Sequence, residues 1–159
     1  FGNTGDDKTT ALVEPTLVDP SSKYALILEN NNLAWFETLS GHDTILVGQG
    51  AGSLPTAGNI LRDLHEIQSK TLRFLSDPMK TVSADNGSIA HAYYVRTAKS
   101  INSELLDQNQ TEMWEDENYR YRITAKIPVR VMHQTMKTLS QQGEVFFAGI
   151  ALGGHHESF

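Results

Sequence analysis

The chain has 159 residues, 39% of them hydrophobic and 20% charged, which allows one domain of ordinary size or two small ones around a buried core. A formal net charge of −6 disfavours nucleic-acid binding, which needs a basic face to displace phosphate counterions. The absence of Cys excludes disulfides, a thiolate nucleophile and Cys-ligated zinc, and no apolar run is long enough to span a bilayer.

Phe1 to Asp7 is polar and glycine-containing and is expected to fray. Thr9 to Val13 reads as a strand that Pro15 confines to an edge or an end, with Leu17 and Val18 continuing it. A loop at Asp19 to Ser22 leads to Tyr24 to Leu28, which is aliphatic and fits either a short helix or a strand. Asn30 to Asn32 is a turn, Leu33 to Leu39 a strand, Ser40 to Asp43 a hairpin connection and Thr44 to Val47 the returning strand. Trp35 and Phe36 occupy successive positions, so one is expected to face the core and the other a partner or another domain.

The hairpin runs straight into Gly48, Gly50 and Gly52, which free the backbone for conformations and approaches that a side chain would block. Ser53 is placed to cap a helix with Pro55 in its first turn. Ile60, Leu61, Leu64, Ile67, Leu72 and Leu75 then recur at helical spacing, which predicts a helix from about Pro55 into the low seventies. Such a turn offers backbone N–H groups and the positive end of a helix dipole to an anion, making it a candidate phosphate or dinucleotide contact. The same composition also makes an ordinary tight turn, the commoner case. No Gly-Lys-Ser/Thr follows, and Ser53 stands where the third glycine of a Gly-x-Gly-x-x-Gly fingerprint belongs, so the segment is not an independent Rossmann unit. Asp63, further along the helix, either orients a neighbour or is exposed.

Ser76 to Ser88, with Asp77-Pro78 and Asn86-Gly87, has the composition of a linker, and a domain boundary is expected at 76–88. Beyond it, Ala90 to Ala98 is a strand, Ile101 to Leu106 a short helix and Thr111 to Glu115 a second strand. Tyr119 to Ile127 alternates, with Tyr119, Tyr121, Ile123, Ala125 and Ile127 on an expected buried face and Arg120, Arg122, Thr124 and Lys126 on a wet one. Val129, Met132, Met136 and Leu139 mark a helix whose methionines read as core, Gly143 stops it, and Val145 to Leu152 is the last strand. The expected class is α+β: a small antiparallel sheet with a long helix, then a ferredoxin-like βαββαβ unit. Glu112, Glu115, Asp116 and Glu117 could pair as catalytic carboxylates, but with Asn118 following they read better as a solvated hairpin tip. His155, His156 and Glu157 read as tail, and no metal site is expected.

Three of these elements carry a resemblance. Gly48-Gln-Gly-Ala-Gly-Ser-Leu-Pro-Thr-Ala57 is similar to the Gly-x-Gly-Ala-Gly-x-x-Pro-Thr-Ala segment of homoserine dehydrogenases, and Val13-Glu-Pro-Thr-Leu-Val18 to their Val-x-Pro-Thr-Leu-Val element. Asn31 to Glu37 resembles the strand with which that family covers its substrate region, and the match spans roughly Thr10 to Gln68. The resemblance implies a cytoplasmic oxidoreductase that interconverts L-homoserine and L-aspartate 4-semialdehyde with NAD(P), in threonine and methionine biosynthesis. It implies cofactor contacts at Gly50, Ala51, Gly52 and Thr56 and no catalytic residue here, because the family's acidic cluster and lysine lie N-terminal to the Pro-Thr-Leu-Val strand. Residues 1–75 are then the end of a catalytic domain. Their partner is a nucleotide-binding domain earlier in the same chain, and residues 1–159 alone are expected to be inactive and to bind no cofactor.

Residues 89–153 are similar to the ACT domain that many members of the family carry, followed by a tail at 154–159. Thr97 to Asn102 replaces the Asp-x-Pro-Gly-like turn with which such domains sense amino acids. A homodimer-forming module is therefore at least as well supported as a sensor, and neither a membrane nor a nucleic-acid partner is expected.

Overall fold

A computed structural model describes residues 2–4, 8–36, 38, 41–69, 83–85, 87 and 89–151. These group into two compact units, one of Phe1–Asp19 with Thr81–Phe159 and the other of Pro20–Lys80. The first unit opens with β1 (Gly2–Thr4), β2 (Lys8–Ala11) and β3 (Thr16–Leu17). The second holds a 3-10 helix (Lys23–Leu26), β4 (Asn31–Phe36), β5 (Thr44–Gln49) and α1 (Ser53–Gln68). The chain then returns to the first unit with β6 (Ser83–Ala84), β7 (Ala90–Ala98), α2 (Glu104–Asn109), β8 (Gln110–Glu115), β9 (Tyr119–Thr124), β10 (Ile127–Pro128), α3 (Val129–Leu139) and β11 (Val145–Ile150).

The larger sheet of the first unit runs β3-β11-β7-β9-β8, with β10 also paired to β7. Within the βαββαβ run the last strand lies beside the first and the third lies between the first and second, all neighbours antiparallel. This is the expected ferredoxin-like connection. Alternate residues of β7 decide its two faces. Tyr93 and Val95 pack with Ile101, Leu106, Ile127, Met132, Met136 and Leu139 to form the core, so both methionines are core residues. Ser103, rather than a residue within the helix, caps α2 by accepting from the Leu106 N–H at 3.4 Å.

The expected faces of β9 are reversed. Arg122 and Thr124, assigned to water, are each only 1% exposed, whereas Tyr119, Tyr121 and Ile123 are half-buried. The register explains it. Arg122 lies opposite core-facing Val95, and Ile123 lies opposite Tyr94 on the other face. Arg122 is tolerated inside because its Nη2 donates to Asp107 at 2.7 Å and its Nη1 to Thr97 at 3.2 Å. The ladder breaks at Ala125, whose N–H donates to the Asn109 carbonyl, and Ile127 re-enters opposite His91 on the core side. Alternation therefore holds locally but changes phase across the break.

Ser83–Ala84, within the expected linker, pairs in parallel with Lys8–Thr9. The strand expected over Thr9 to Val18 is two separate strands. The chain leaves the β1-β2-β6 sheet after Ala11, buries Leu12 against Ile89 and Val129, and re-enters at Thr16–Leu17 beside β11. Pro15, which lacks an N–H, still contributes its carbonyl, accepting from Gly149 at 2.9 Å. Gly2–Thr4, Lys8–Ala11 and Thr16–Leu17, expected to belong with residues 20–75, are thus bound into the first unit by β-pairing. In the second unit, β4 and β5 form a hairpin, with Asn31 opposite Gln49 and Phe36 opposite Thr44. Trp35 packs on Tyr24, with ring centroids 5.5 Å apart, while Phe36 is exposed, as their successive positions require. The predicted helix is present as α1, and its expected extension to Leu72 and Leu75 lies outside the described residues, as do the tail histidines.

Candidate functional site

The glycine turn is built at the open end of the β4–β5 hairpin. Because Asn32 lies opposite Gly48, the residues just beyond the ladder, Asn30 and Gly50, are also brought together. The Gly50 N–H donates to the Asn30 carbonyl at 2.8 Å, and the Asn30 side-chain Nδ2 donates to the Ala51 carbonyl at 2.7 Å. The turn that delivers Asn30 is itself tight. Both the backbone N–H and the side chain of Asn31 donate to the Leu28 carbonyl, and Glu29 sits at φ 58, in the left-handed region that L-residues avoid.

Gly52, not Ser53, is the N-cap of α1, with φ 123 that a side chain would strain. Its carbonyl accepts the Thr56 N–H at 3.1 Å. No side chain among the described residues caps the N-terminus of this helix, and its first turn holds no acidic residue. At Gly50 an added Cβ would run into the Asn32 side chain, while at Gly48 it would meet nothing. An open cleft of about 830 Å³ lies alongside, lined by Tyr24, Asn32, Leu33, Val47, Gly48 and Gly50 among others.

The four residues expected at a cofactor therefore sit together at the β5–α1 junction, each in a different state. Gly50 borders the cleft and is packed by Asn32, Ala51 has its carbonyl held, Gly52 caps the helix, and Thr56 has its N–H committed to the Gly52 carbonyl. An exposed, uncapped helix start entered through glycine, with no acid to repel an anion, suits a phosphate group of a dinucleotide. Of Asn30 to Asn32, expected as a turn, Asn31 and Asn32 instead lie in β4, with only Asn30 before the strand. The signal for the Asn30 contacts was the run of three amide side chains, each able to donate to carbonyls of a neighbouring loop.

A second group of titratable side chains lies in the first unit. Glu14, 2% exposed at its side chain, receives His133 Nε2 at 2.8 Å, with Tyr93 Oη at 3.5 Å and His91 Nε2 at 3.9 Å. Burial lowers the His91 pKa against the pull of Glu14 and, with Glu14, raises that of Tyr93. The acidic group around Asp116 is a hairpin tip, as expected. Asp116 accepts from the Asn118 and Tyr119 N–H groups and from the Tyr121 hydroxyl, and Arg120 pairs with Glu115. No group of three or more His, Cys, Asp or Glu suited to a metal is found among the described residues. In the loop after β7 that stands where an amino-acid-sensing turn would be, the Lys99 N–H donates to Asn118 and the Ile101 N–H to Ala98.

Residues 3–65, which contain this turn, match the family model of homoserine dehydrogenase. Over these residues the chain is similar to the homoserine dehydrogenases. Its fold is similar over 96% of its length to a crystal structure of homoserine dehydrogenase from S. aureus, with a TM-score of 0.50 and 20% identity. The chain spans 40% of the length of that homoserine dehydrogenase. No curated protein sequence matches it.

Proposed function

We propose that the protein to which these residues belong is a nicotinamide-dependent oxidoreductase interconverting L-homoserine and L-aspartate 4-semialdehyde, cytoplasmic, and serving threonine and methionine biosynthesis. The observation that carries this reading is the uncapped glycine turn at the start of α1, lying within the segment that matches homoserine dehydrogenases. In this reading the turn contacts the phosphates of NAD(P) through Gly50, Ala51 and Gly52, with the Thr56 hydroxyl beside them, and the hydride chemistry belongs to the cofactor. Leu54, Ile60, Leu61, Leu64 and Ile67 of α1 are all more than half exposed, an apolar stripe suited to a nucleotide-binding domain earlier in the same chain. The acid–base groups lie in that earlier part, so the 159 residues alone are inactive. Homoserine oxidation is followed as reduced nicotinamide appears, in the full-length gene product and in residues 1–159. Activity is expected only in the former. A full-length product without homoserine oxidation overturns the reading, and turnover by residues 1–159 overturns the placement of the catalytic groups.

The βαββαβ unit supports a second role, as an ACT-like module joining two protomers. The sheet face opposite its helices carries Tyr94, Trp114, Tyr121 and Phe146, with Trp114 and Tyr121 stacked at 5.6 Å and Trp114 and Phe146 45% and 40% exposed. A second copy would cover it. Amino-acid sensing is less favoured, because the Lys99 and Ile101 amides already serve carbonyls of the protein. Sedimentation at high micromolar concentration is expected to give a dimer, and a strict monomer removes this role.

A further inference from the structure

We propose that Glu14 and His133 form a pH-sensitive latch that fastens the segment entering β3 to the βαββαβ unit, closed while the His133 imidazole carries a proton and loosened once it is neutral. The latch is separate from the glycine turn, since all of its residues lie in the first unit and the turn lies in the second. Glu14 stands immediately before Pro15 and β3, inside the stretch that matches homoserine dehydrogenase, whereas the groups around it come from the βαββαβ unit beyond that match. Its carboxylate is enclosed by three elements. From β7 come the Tyr93 hydroxyl at 3.5 Å and His91 Nε2 at 3.9 Å, and from α3 comes His133 Nε2 at 2.8 Å. β11 passes so close that a Cβ on Gly149 would stand 2.7 Å from Glu14 Oε1, so glycine at this position leaves the space that the carboxylate fills. The same seat holds the strand: the Pro15 carbonyl accepts from the Gly149 N–H at 2.9 Å and the Leu17 carbonyl from the Ala151 N–H at 2.9 Å. With Thr16 and Leu17 alone in β3, its ladder is too short to be stable by itself, and the lodged carboxylate fixes where it starts.

A carboxylate whose side chain is 2% exposed needs a compensating charge, because a low-dielectric interior penalises an anion served by neutral donors alone. Among its described neighbours, His133 is the one that suits this part. Burial pushes His91 toward its neutral form; Glu14 opposes the push and Lys126, between β9 and β10, adds to it. Burial and Glu14 together raise the Tyr93 phenol, which stays a neutral donor. His133 makes the shortest contact and its side chain is 39% exposed, so it exchanges protons with water without leaving Glu14. The Phe147 ring, edge-on with centroids 5.3 Å apart, packs against its imidazole. The cleft that His133 borders is also lined by Lys137, one turn along α3, and by no carboxylate among the described residues. An imidazole changes charge between about pH 5 and 8, so across that range His133 passes from a charge-assisted donor to an ordinary one. The anion then lies buried with neutral donors only, and the attachment of β3 weakens as pH rises.

The test measures amide hydrogen exchange in the full-length gene product at about pH 6 and about pH 8.5, either side of the imidazole range, with rates corrected for the intrinsic pH dependence of exchange. Opening of the Gly149 and Ala151 amides, which donate to Pro15 and Leu17, is expected to be about fivefold more frequent at the higher pH, the difference between a charged and a neutral hydrogen bond. The Tyr93 amide, which donates to Thr124 Oγ1 at 3.0 Å inside the sheet, is expected to be unchanged. Glu14→Gln keeps the side-chain size and removes the charge, and His133→Gln keeps a neutral donor that does not titrate. Each is expected to abolish the pH difference, with His133→Gln opening at both pH values as often as wild type does at the higher one. Wild-type protein whose Gly149 and Ala151 amides open equally at the two pH values overturns the latch, a result that needs no variant. A pH difference that survives in either variant also overturns it, because another group is then titrating. A difference shared equally by the Tyr93 amide is general loosening of the sheet and overturns it too. None of these outcomes depends on whether the protein binds a dinucleotide.

Discussion

Asp107 anchors Arg122: its Oδ1 accepts from Nη2 at 2.7 Å, with the guanidinium side chain 1% exposed and the carboxylate side chain 48% exposed. One partner is inside the fold and the other is half in water. The Arg122 Nε has no hydrogen-bond partner among the described residues, so the carboxylate and the Thr97 hydroxyl carry the compensation.

Removing the carboxylate should accordingly hurt more than removing the charge it serves. Asp107→Leu strands a buried guanidinium and is expected to cost about 2 kcal/mol, toward the low end because the carboxylate is partly solvated. Arg122→Met keeps most of the volume and removes the need for a partner, and is expected to stay within about 1 kcal/mol of wild type. Urea unfolding of the two variants measures the difference, and the reverse order would show that packing rather than charge controls the site.

The Asp116–Tyr121 pair predicts behaviour at high pH. The hydrogen bond to Asp116 raises the Tyr121 pKa to about 12, and the same bond lowers that of Asp116. A phenol whose folded value exceeds its unfolded value of about 10 contributes stability that is complete below pH 10 and lost as pH rises toward 12. Tyrosinate absorbance, with Tyr121→Phe as the reference, should show this ring ionising near 12. Asp116→Asn should bring the ionisation back toward the ordinary range.

Glu29→Gly is expected to stabilise the protein by roughly 0.5–1 kcal/mol, because the left-handed conformation at this position is strained for any residue with a Cβ. Thermal unfolding measures it. Glu29→Val should move in the opposite direction, and a destabilised glycine variant would mean that the glutamate side chain makes a contribution larger than the strain.

Gly50 separates packing from ligand approach. Its substitution by Val is expected to weaken dinucleotide binding in the full-length product, but it also drives a side chain into Asn32. The pair Gly50→Ala with Asn32→Gly relieves that collision. If binding remains weak in the refolded double variant, the ligand itself needs the space at Gly50. If binding returns with stability, the glycine is there for Asn32.

The legible parts of the fold were those where one physical signal dominates. Val129, Met132, Met136 and Leu139 repeat at helical spacing and are all buried, so α3 could be placed from sequence, and Gly48 to Ala57 announced a turn followed by a helix. Tyr119 to Ile127 misled because aromatic content suggests an interior. The tyrosines instead join Tyr94, Trp114 and Phe146 on the face away from the helices, while Arg122 enters the core with a partner from α2 that no local pattern reveals. The same limit applied at the candidate site. The three glycines were visible, but the Asn30 contacts come from across a hairpin whose register had to be known first.

β3 also bears on the order in which the protein can be completed. Among the described residues Thr16–Leu17 pairs only with Gly149–Ile150, and the Leu17 carbonyl also takes the Ala151 N–H, so its partner is translated after nearly everything else described here. While the ribosome is still making α3, Pro15 to Leu17 has no β-strand to join, and Leu12 waits for Ile89 and Val129. Closing this parallel pair is thus a late, long-range step that joins the two ends of the described chain, and until it occurs β11 and β3 both present unpaired backbone to other nascent chains.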